Sequence, residues 1–508
     1  MNSYLKILLL DLGTPRDEFN EPIGIECIAN YLKNKTDNLY IDLDSYDMYE
    51  VYDKSKIPQY DILGISINIG TLDRFDDIYK FIKVNNLKIP IIVGNAIPTF
   101  AYKELISLYD DIVCIRGEGE EAFLKIVEIY KNTGAISKEN LAGVSNIAFK
   151  NIGDIFCSKM HTLDLSEIDV TARDSVFINY IKNNNGIMRV EGSRGCHWGK
   201  CNFCCINSKY GEGFWRGYGL KKILNELIVL SSNGINSPYF SDEDFFGQQY
   251  DRIDVLSTQI IESKIQGIIS SNMNFFISIL AADVVNDKGF ETIKKLKQAG
   301  LREVFIGIES GEQNQIKRYQ KKANVDINII ALEKLKNINL QVDIGFILFD
   351  PFLKYEELCK NLSYLETIKL NDYDSRSIKR LRVQPLTSVA HKYKDVLVGG
   401  LDINNLEYPY RFIDKKVEYV YNLYSEWETK YSGEVYRIQA LSRGEVESEE
   451  KRERTKKLLS IVRDNDFDVL KNIAYYIEGS ITDIGYRNRM DNSLKQKESV
   501  LESFLKLY

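Results

Sequence analysis

The sequence predicts an α/β protein with a doubly wound parallel sheet at the N-terminus, a partial or complete parallel barrel in the centre and a mostly helical C-terminal region. Two runs of short apolar strands, each alternating with amphipathic helices, predict the two sheets, because strands covered by helices on both faces are apolar throughout. After about Ser388 this alternation gives way to charged, tyrosine-rich helical sequence. A chain of 508 residues is long enough for two to four domains.

The first alternation occupies residues 1–130. Between the strands lie helical patterns with i, i+3, i+4, i+7 spacing, such as Ile25, Ile28, Ala29 and Leu32. Because sheets of this Rossmann-like kind bind ligands at the carboxyl ends of their strands, the glycines that cluster there predict a site. The strands are predicted at Lys6–Leu10, Leu39–Leu43, Asp61–Ile67, Pro90–Gly94 and Ile112–Ile115.

The second alternation occupies residues 186–388, and its six strand–helix units predict chemistry on the loops after the strands. The polar, asparagine-rich residues 131–185 are predicted to be a linker over the two domains, and residues 389–508 a helical cap or substrate domain. The strands are predicted at Ile187–Glu191, Pro238–Ser241, Phe275–Ile279, Glu303–Ile308, Val342–Leu348 and Ile378–Val383.

The bulk composition narrows the class of partner. A net charge of −7 and a pI near 5.5 give no electrostatic reason to expect nucleic acid. The apolar run Ile7–Leu10 is too short for a signal peptide, and no stretch approaches the ~20 apolar residues that span a bilayer. We therefore expect a cytoplasmic protein with neither a nucleic-acid nor a membrane partner.

Four of the eight cysteines, Cys196, Cys201, Cys204 and Cys205, fall within ten residues on the loop after the first barrel strand. In a cytosolic chain such clustering indicates a metal rather than disulfides. Thiolates at Cys196, Cys201 and Cys204 suffice for three irons of a cubane and leave the fourth iron open to bind a substrate. Cys205 is disfavoured as a fourth ligand, because adjacent residues seldom reach different corners of one cube.

Two other interpretations of this loop stay open: a structural zinc site and a purely structural cluster. Zinc usually needs a second ligand pair, and the next cysteine is the distant Cys359. His197 directly follows Cys196, which is poor geometry for a Cys3His set. Cys27 and Cys114 lie on predicted core faces and are expected to be ordinary buried side chains.

The segment EGSRGCHWGKCNFCCI (Glu191 to Ile206) resembles the cluster loop of the radical S-adenosylmethionine (SAM) superfamily, including the aromatic residue before the last ligand cysteine. That family usually spaces its cysteines by three and then two residues, whereas here there are four and then two. The later segments YFSDEDFFG, VFIGIESG, GFILFDP and RVQPLT resemble the family's SAM contacts in the expected order. The residues that this resemblance implies as SAM contacts are Phe203, Asp242, Glu243, Glu309, Ser310 and Gly345.

The resemblance also implies a reaction. The open iron of a [4Fe–4S] cluster binds the amino and carboxylate groups of SAM, and an electron passed to the sulfonium releases a 5′-deoxyadenosyl radical. That radical removes a hydrogen atom from an unactivated carbon. The electron is implied to come from a donor such as flavodoxin or ferredoxin.

In the front domain, the segments DILGISINIG, PIIVGNAIPTF and DIVCIRGEGEEAFLKIV resemble the cobalamin-binding-type domain that precedes many radical SAM enzymes. Family members often have two glycines and a histidine where Gly94, Asn95 and Ile97 stand. No histidine precedes His161, so this domain offers cobalt no imidazole. Arg74 either faces the cobalt or is an exposed helix arginine. The residues implied as cobalamin contacts are Gly13, Ser66, Gly94, Thr99, Gly117, Glu118, Gly119 and Arg74.

The function that these resemblances favour is that of a class B radical SAM methyltransferase, which methylates an unactivated carbon with cobalamin. The expected substrate is a peptide or a natural-product or other small metabolite, met by the tyrosine-rich C-terminal region. The alternative is a radical SAM epimerase, cyclase or rearrangement enzyme without methyl transfer. An alternative of another class is a non-catalytic iron–sulfur or zinc scaffold.

Overall fold

The computed structural model of the chain describes residues 4–14, 19–168, 173–184, 186–210, 215–370, 373, 379–443 and 449–507. It contains a seven-stranded sheet, a six-stranded sheet and a C-terminal group of helices. The predicted α/β fold class is confirmed. Within the described residues, no helix is long and apolar enough to cross a membrane.

The first sheet has the strand order β2-β1-β3-β4-β5-β6-β7, and its first five strands run parallel. Residues Ile7–Leu10 of β1 are all buried, as expected for a strand between two helical layers. The strands are β1 (Leu5–Asp11), β2 (Leu39–Ser45), β3 (Ile62–Ser66), β4 (Ile91–Gly94), β5 (Ile112–Ile115), β6 (Ile147–Asn151) and β7 (Asp154–Cys157). The helices are α1 (Ile23–Lys35), α2 (Leu72–Val84), α3 (Ala96–Phe100), α4 (Tyr102–Leu108), α5 (Glu120–Thr133) and α6 (Lys138–Leu141).

Strands β6 and β7 correct the interpretation of residues 131–185 as a linker. They form an antiparallel hairpin that extends the first sheet beyond β5. Ile147 and Phe149 of β6 are buried, and the ring of Phe149 stacks on that of Phe156. The two strands are short and flanked by polar residues, so their apolar pattern is weak in sequence, and pairing with an existing edge strand stabilises them.

The second sheet has the order β8-β11-β12-β13-β14-β15, with every neighbouring pair parallel. Among the described residues β8 and β15 do not pair, so the sheet is a partial barrel. Ile378, the first residue of the predicted sixth strand, lies outside the described residues. The strands are β8 (Arg189–Val190), β11 (Tyr239–Phe240), β12 (Phe275–Ile279), β13 (Leu301–Glu309), β14 (Gln341–Phe349) and β15 (Lys379–Arg380), and a separate antiparallel pair is formed by β9 (Ser193–Arg194) and β10 (Arg216–Gly217).

Helices cover the outer face of this sheet and form the C-terminal region. The hydroxyl of Tyr355 in the barrel donates to the carbonyl of Ala474 at 2.7 Å, and Phe349 packs edge-on against Tyr421. The C-terminal helices therefore lie directly against the barrel. The helices are α7 (Ser175–Asn183), α8 (Ile206–Lys209), α9 (Leu220–Ser232), α10 (Tyr250–Ile265), α11 (Ala281–Val285), α12 (Asp287–Ala299), α13 (Gln313–Tyr319), α14 (Val325–Asn337), α15 (Tyr355–Thr367), α16 (Ser388–Lys392), α17 (Lys415–Lys430), α18 (Ser432–Arg443), α19 (Glu449–Glu478) and α20 (Asp483–Leu505).

A buried ion cluster joins the front domain to the barrel. The guanidinium of Arg173 lies 2.6 Å from a carboxylate oxygen of Glu21 in the front domain and 2.9 Å from one of Glu226 on α9. The Arg173 side chain is only 1% exposed. Since an unpaired charge is costly at such a depth, this cluster fixes how the two domains pack together.

Candidate functional site

The cysteine loop runs from the end of β9 to the start of α8. Cys196, Cys201 and Cys204 are partly buried and none of them forms a disulfide. The amide of Cys204 donates to the carbonyl of Cys201 at 3.2 Å, which is a tight turn. Asn202 anchors the loop, because its amide donates to the carbonyl of Tyr319 at 3.0 Å. The loop therefore presents three thiols from a path held by the rest of the barrel.

Without a metal, burial favours the protonated form of these cysteines. It raises the pKa of Cys196 to about 11, with the charge of Asp244 acting in the same direction. Burial also raises the pKa of Cys204 to about 12, and the neighbouring thiols of Cys205, Cys201 and Cys196 add to this rise. A bound metal reverses that preference, because coordination deprotonates a thiol outright. Burial therefore favours the neutral thiols, and a bound iron–sulfur cluster would hold them as thiolates.

His197 is held by protein groups on both sides of its ring. Its Nδ1 lies 2.5 Å from a carboxylate oxygen of Asp244, and its Nε2 lies 2.6 Å from the Nζ atom of Lys322. Both ring nitrogens are therefore occupied by protein groups. In the part of the chain that the structure describes, no three His, Cys, Asp or Glu side chains are arranged to hold one metal ion. A cubane makes no such demand, because each thiolate binds its own iron.

Asp244 is a residue that the sequence analysis missed. It also accepts from the backbone amide of His197 at 3.1 Å and from that of Gly247 at 3.1 Å, and its carbonyl accepts from the indole of Trp215 at 2.6 Å. It thereby braces the start of the cysteine loop. The signal was present in sequence, since Asp244 follows Asp242 and Glu243 directly at the end of β11.

Asp242 and Glu243 lie beside the start of the loop. The carboxylate of Asp242 accepts from the amide of Gly192 at 2.9 Å and from the hydroxyl of Ser193. One oxygen of Glu243 accepts from the amide of Gly195 at 3.1 Å, and the other from the Lys209 ammonium and the Tyr210 hydroxyl, each at 3.2 Å. The structure thus brings both predicted carboxylates to the residues that precede Cys196.

The Asp242 carboxyl should make stability depend on pH. Burial raises the pKa of Asp242 to about 7. The hydrogen bonds that it accepts from Ser193 and Gly192 lower the pKa, but by less than burial raises it. Between about pH 4 and 7 the folded state holds a proton that the unfolded state has lost, so the contribution of this group to the free energy of unfolding falls as the pH rises. The free energy of unfolding of the wild-type protein should decrease between pH 5 and pH 8. In Asp242→Asn we expect that decrease to be smaller by about 2 kcal/mol.

Urea denaturation of the two proteins at both pH values measures this effect. Asp251→Asn is the matched control, because the Asp251 side chain is 87% exposed. An unchanged pH dependence in Asp242→Asn would show that the carboxyl is ionised in the folded protein.

Glu309 is the last residue of β13 and Ser310 the first after it, but their side chains point to different places. Glu309 has a positive φ of 67° and pairs with Lys321 at 3.3 Å, and both of these charges act on Cys201. The hydroxyl of Ser310 is fully buried, where it contacts the side-chain oxygens of Gln315 at 2.7 Å and Asn361 at 2.9 Å. Glu309 therefore lies beside the cysteine loop, whereas Ser310 belongs to a buried network behind it.

The inner face of the barrel is lined by partly exposed positions that alternate with buried ones. Phe305 and Gly307 of β13 lie on this face with Gly345 of β14. A Cβ atom at Gly345 would be 2.8 Å from the ring of Phe305, so any side chain there would displace that ring. Phe203 lies outside this face and packs edge-on against Tyr319, with 5.4 Å between the ring centroids.

In the front domain, several predicted residues meet at the carboxyl edge of the sheet. The amide nitrogen of the Asn95 side chain donates to the hydroxyl of Ser66 at 2.9 Å, and the amide of Gly117 donates to the hydroxyl of Thr99 at 3.1 Å. No atom lies within 4 Å of a Cβ placed on Gly94. Asn95 has φ 79° and ψ −152°, a conformation that is essentially reserved for glycine. The edge therefore has open space and a glycine-type turn, and these fit the close approach of a large flat cofactor such as cobalamin.

Gly13 and Arg74 lie at the end of β1. The guanidinium of Arg74 donates to the carbonyl of Leu12 and to the carboxylate of Asp47, each at 2.6 Å. A Cβ atom on Gly13, which has φ 72°, would overlap that carboxylate. Arg74 is thus half-buried and paired at this edge. The alternative of an exposed helix arginine is wrong.

The turn at Gly117, Glu118 and Gly119 contacts the barrel. Glu118 is buried and pairs with Arg216 at 2.7 Å and with Arg194 at 3.3 Å. A Cβ on Gly117 would come within 2.6 Å of the carbonyl oxygen of Lys209, and one on Gly119 within 3.1 Å of Ile28. These glycines therefore permit close packing between the domains and within the front domain.

Arg194, which the sequence analysis did not single out, joins this turn to the cysteine loop. Its guanidinium lies 2.7 Å from Glu120 in the front domain and 3.0 Å from Glu191 at the end of β8. The side chain is 8% exposed and stands two residues before Cys196. Burial alone would raise the pKa of Glu191, but the Arg194 guanidinium lowers that pKa to about 2. The two predicted cofactor sites thus share one buried ionic network.

Comparison with known protein families agrees with this two-part arrangement. A B12 binding domain model matches residues 12–127, and a radical SAM superfamily model matches residues 190–365. The chain is a radical SAM enzyme with a B12-binding domain. The cofactors that these domains imply are a [4Fe–4S] cluster, SAM and cobalamin, as predicted.

The radical SAM enzyme is similar to proteins of different named activities. It is 28% identical over 328 residues to 4′-phospho-dehydrooxetanocin synthase of Priestia megaterium, a match that covers 61% of this chain and 43% of that one. It is 22% identical to hopanoid C-3 methylase of Methylococcus capsulatus, with 69% of this chain and 66% of that one covered. The chain thus spans less than half the length of the first of these relatives.

The fold extends the similarity to the C-terminal helices. The structure of the cobalamin-dependent SAM radical enzyme OxsB with aqua-cobalamin bound superposes with a TM-score of 0.78. That match covers 99% of this chain and 80% of the OxsB chain at 19% identity. The whole chain therefore has the OxsB fold.

Proposed function

We propose that this enzyme methylates an unactivated carbon of a small metabolite or peptide, with a cluster on Cys196, Cys201 and Cys204 and with cobalamin in the front domain. The observation that carries the proposal is the Arg194 network, because it holds the glycine turn of the front domain against the cysteine loop.

When bound, the cluster and SAM supply a 5′-deoxyadenosyl radical, and cobalamin supplies a methyl group. The chain's own residues bind and orient these groups. Glu243 offers a carboxylate for the SAM ammonium, and Glu309 offers a second beside Cys201. Asp242 is a positioning residue, because its two oxygens accept from Gly192 and Ser193. Gly345 and Phe305 shape the inner face for the adenosyl portion. Gly13, Ser66, Gly94, Thr99 and Arg74 line the edge that would hold cobalamin.

The decisive experiment is anaerobic reconstitution with iron, sulfide and hydroxocobalamin, followed by SAM, a chemical reductant and candidate substrates. Mass spectrometry then measures both nucleoside products. Methyl transfer yields S-adenosylhomocysteine alongside 5′-deoxyadenosine. Formation of 5′-deoxyadenosine alone, with substrate consumed, would rule out methylation.

That second outcome corresponds to the other candidate function, a radical SAM epimerisation, cyclisation or rearrangement. It is favoured by the relative of Priestia megaterium, which is named a synthase rather than a methylase.

A further inference from the structure

A hairpin that follows the barrel reaches back to the front domain. Residues 397–410, which we call the bridging hairpin, pair at their base through Leu397 and Tyr410 and near their tip through Asp402 and Glu407. The amide of Asp402 donates to the carbonyl of Glu407 at 3.0 Å, and the amide of Glu407 donates to the carbonyl of Asp402 at 3.2 Å. These residues carry none of the motifs that indicated a cofactor.

The tip of the bridging hairpin holds the β3–α2 loop of the front domain, residues 67–71. The amide of Gly70 donates to the carbonyl of Asn404 at 2.7 Å, and the amide of Leu72 donates to the side-chain oxygen of Asn404 at 3.0 Å. Leu72 is the first residue of α2, where an amide has no acceptor within its own helix. The side chain of Thr71, which precedes it, caps no amide of this helix. Asn404 therefore caps α2 from 332 positions further along the chain.

Apolar side chains fix the same tip to the front domain. Leu406 is 1% exposed and belongs to one buried cluster with Ile67 and Ile97. Leu401 and Ile403 are partly buried against that cluster. The tip is therefore part of the packing of the front domain, although the whole barrel separates the two in the chain.

The other side of the bridging hairpin is tied to the barrel beside the cysteine loop. The carboxylate of Glu407 lies 2.5 Å from the guanidinium of Arg380 on β15 and 3.5 Å from that of Arg382. The guanidinium of Arg382 also donates to the carbonyl of Asn405. Burial raises the pKa of Cys205, and the nearby charge of Arg382 opposes that rise. One short hairpin thus contacts the front domain and the surroundings of the cysteine loop.

The β3–α2 loop lies at the edge of the sheet that has room for cobalamin. The amide of Ile67 donates to the carbonyl of Gly94 at 3.0 Å, and the amide of Ile97 donates to the carbonyl of Ile67 at 3.2 Å. The loop is thus bonded directly to the turn at Gly94, where a Cβ would meet open space. A loop that is already ordered costs less free energy when a ligand binds beside it.

We propose that the bridging hairpin completes the cobalamin-binding site and that Asn404 is the residue that positions the β3–α2 loop for the cofactor. This inference rests on the proposed function and names a positioning element of its cobalamin site. Without the Asn404 side chain, the amide of Leu72 loses its acceptor and cobalamin has to order the loop itself. The front domain alone is therefore an incomplete cobalamin site.

Equilibrium dialysis of the full-length, anaerobically reconstituted protein against hydroxocobalamin measures the dissociation constant. We expect Asn404→Ala to bind hydroxocobalamin about 10-fold more weakly than the wild type. Asn404→Asp should stay within about threefold of the wild type, because its carboxylate still accepts from the Leu72 amide at a helix N-terminus. The matched control is Asn422→Ala, an exposed position on α17, which should change the affinity by less than about twofold. All three variants should keep the full iron content.

Hydrogen–deuterium exchange of the same proteins separates positioning from unfolding. In Asn404→Ala the amides of residues 67–72 should exchange faster, while strands β1, β3 and β4 keep their wild-type protection. Wild-type affinity for hydroxocobalamin in Asn404→Ala would overturn the proposal. So would an Asn404→Asp protein that binds as weakly as Asn404→Ala, or loss of protection throughout the sheet. If cobalamin binding depends on Asn404 but no S-adenosylhomocysteine forms, the proposed function fails while the positioning role stands.

Discussion

Replacement of any one of Cys196, Cys201 and Cys204 by alanine is expected to abolish SAM cleavage and most iron binding in the anaerobically reconstituted protein. In the proposed site each thiolate would hold one iron of the cube, and the buried loop offers no imidazole in exchange because both ring nitrogens of His197 are occupied. Loss of residues that merely support metal ligands costs about 10–100-fold in metal affinity or activity, so loss of a ligand itself should exceed about 100-fold. Iron and sulfide analysis, the visible absorption spectrum and 5′-deoxyadenosine formation measure the effect.

Two other cysteines provide the controls. Cys205→Ala changes the residue next to Cys204, and Cys359→Ala removes a distant thiol on α15. Both variants should keep the full iron content and the broad visible absorption of a cubane. If Cys205→Ala lost iron and Cys204→Ala kept it, the third ligand would be Cys205 and not Cys204.

Arg194→Met is expected to lower the free energy of unfolding by about 3–5 kcal/mol, because it leaves buried carboxylates without their cation. Glu118, Glu120 and Glu191 all lie within 3.3 Å of the guanidinium. The acid limb of the stability curve should also move to higher pH. The lowered pKa of Glu191 contributes stability that is present above about pH 4.5 and is lost as the pH falls towards 2, and this contribution needs Arg194.

Denaturant unfolding across the acid range measures both effects, and cobalamin retention after gel filtration reports on the link between the domains. Glu121→Gln is the control, since Glu121 is on the same turn but 46% exposed, and we expect it to change stability by less than about 0.5 kcal/mol. Wild-type stability and cobalamin retention in Arg194→Met would mean that the network does not join the two sites.

Much of the fold follows from local patterns in the sequence. Strands β1, β3, β4 and β5 of the front domain and the long barrel strands β12, β13 and β14 are rich in apolar residues and alternate with helical patterns, as the strands of a covered parallel sheet do. The hairpin β6–β7 could not be found in this way. Its strands are short and set in polar sequence, and they gain stability by pairing with β5, from which α5 and α6 separate them in the chain.

The three cysteines proposed as cluster ligands are likewise predicted from the sequence alone, because a metal site made by one loop depends on spacing over a few residues. The roles of Glu118, Ser310 and Arg194 were decided only by the tertiary structure. The sequence shows that each side chain is polar and close to a motif, but its partner comes from another domain or another helix. Long-range ion pairs and buried hydrogen bonds depend on which surfaces meet, and that information exists only once the two sheets have packed together.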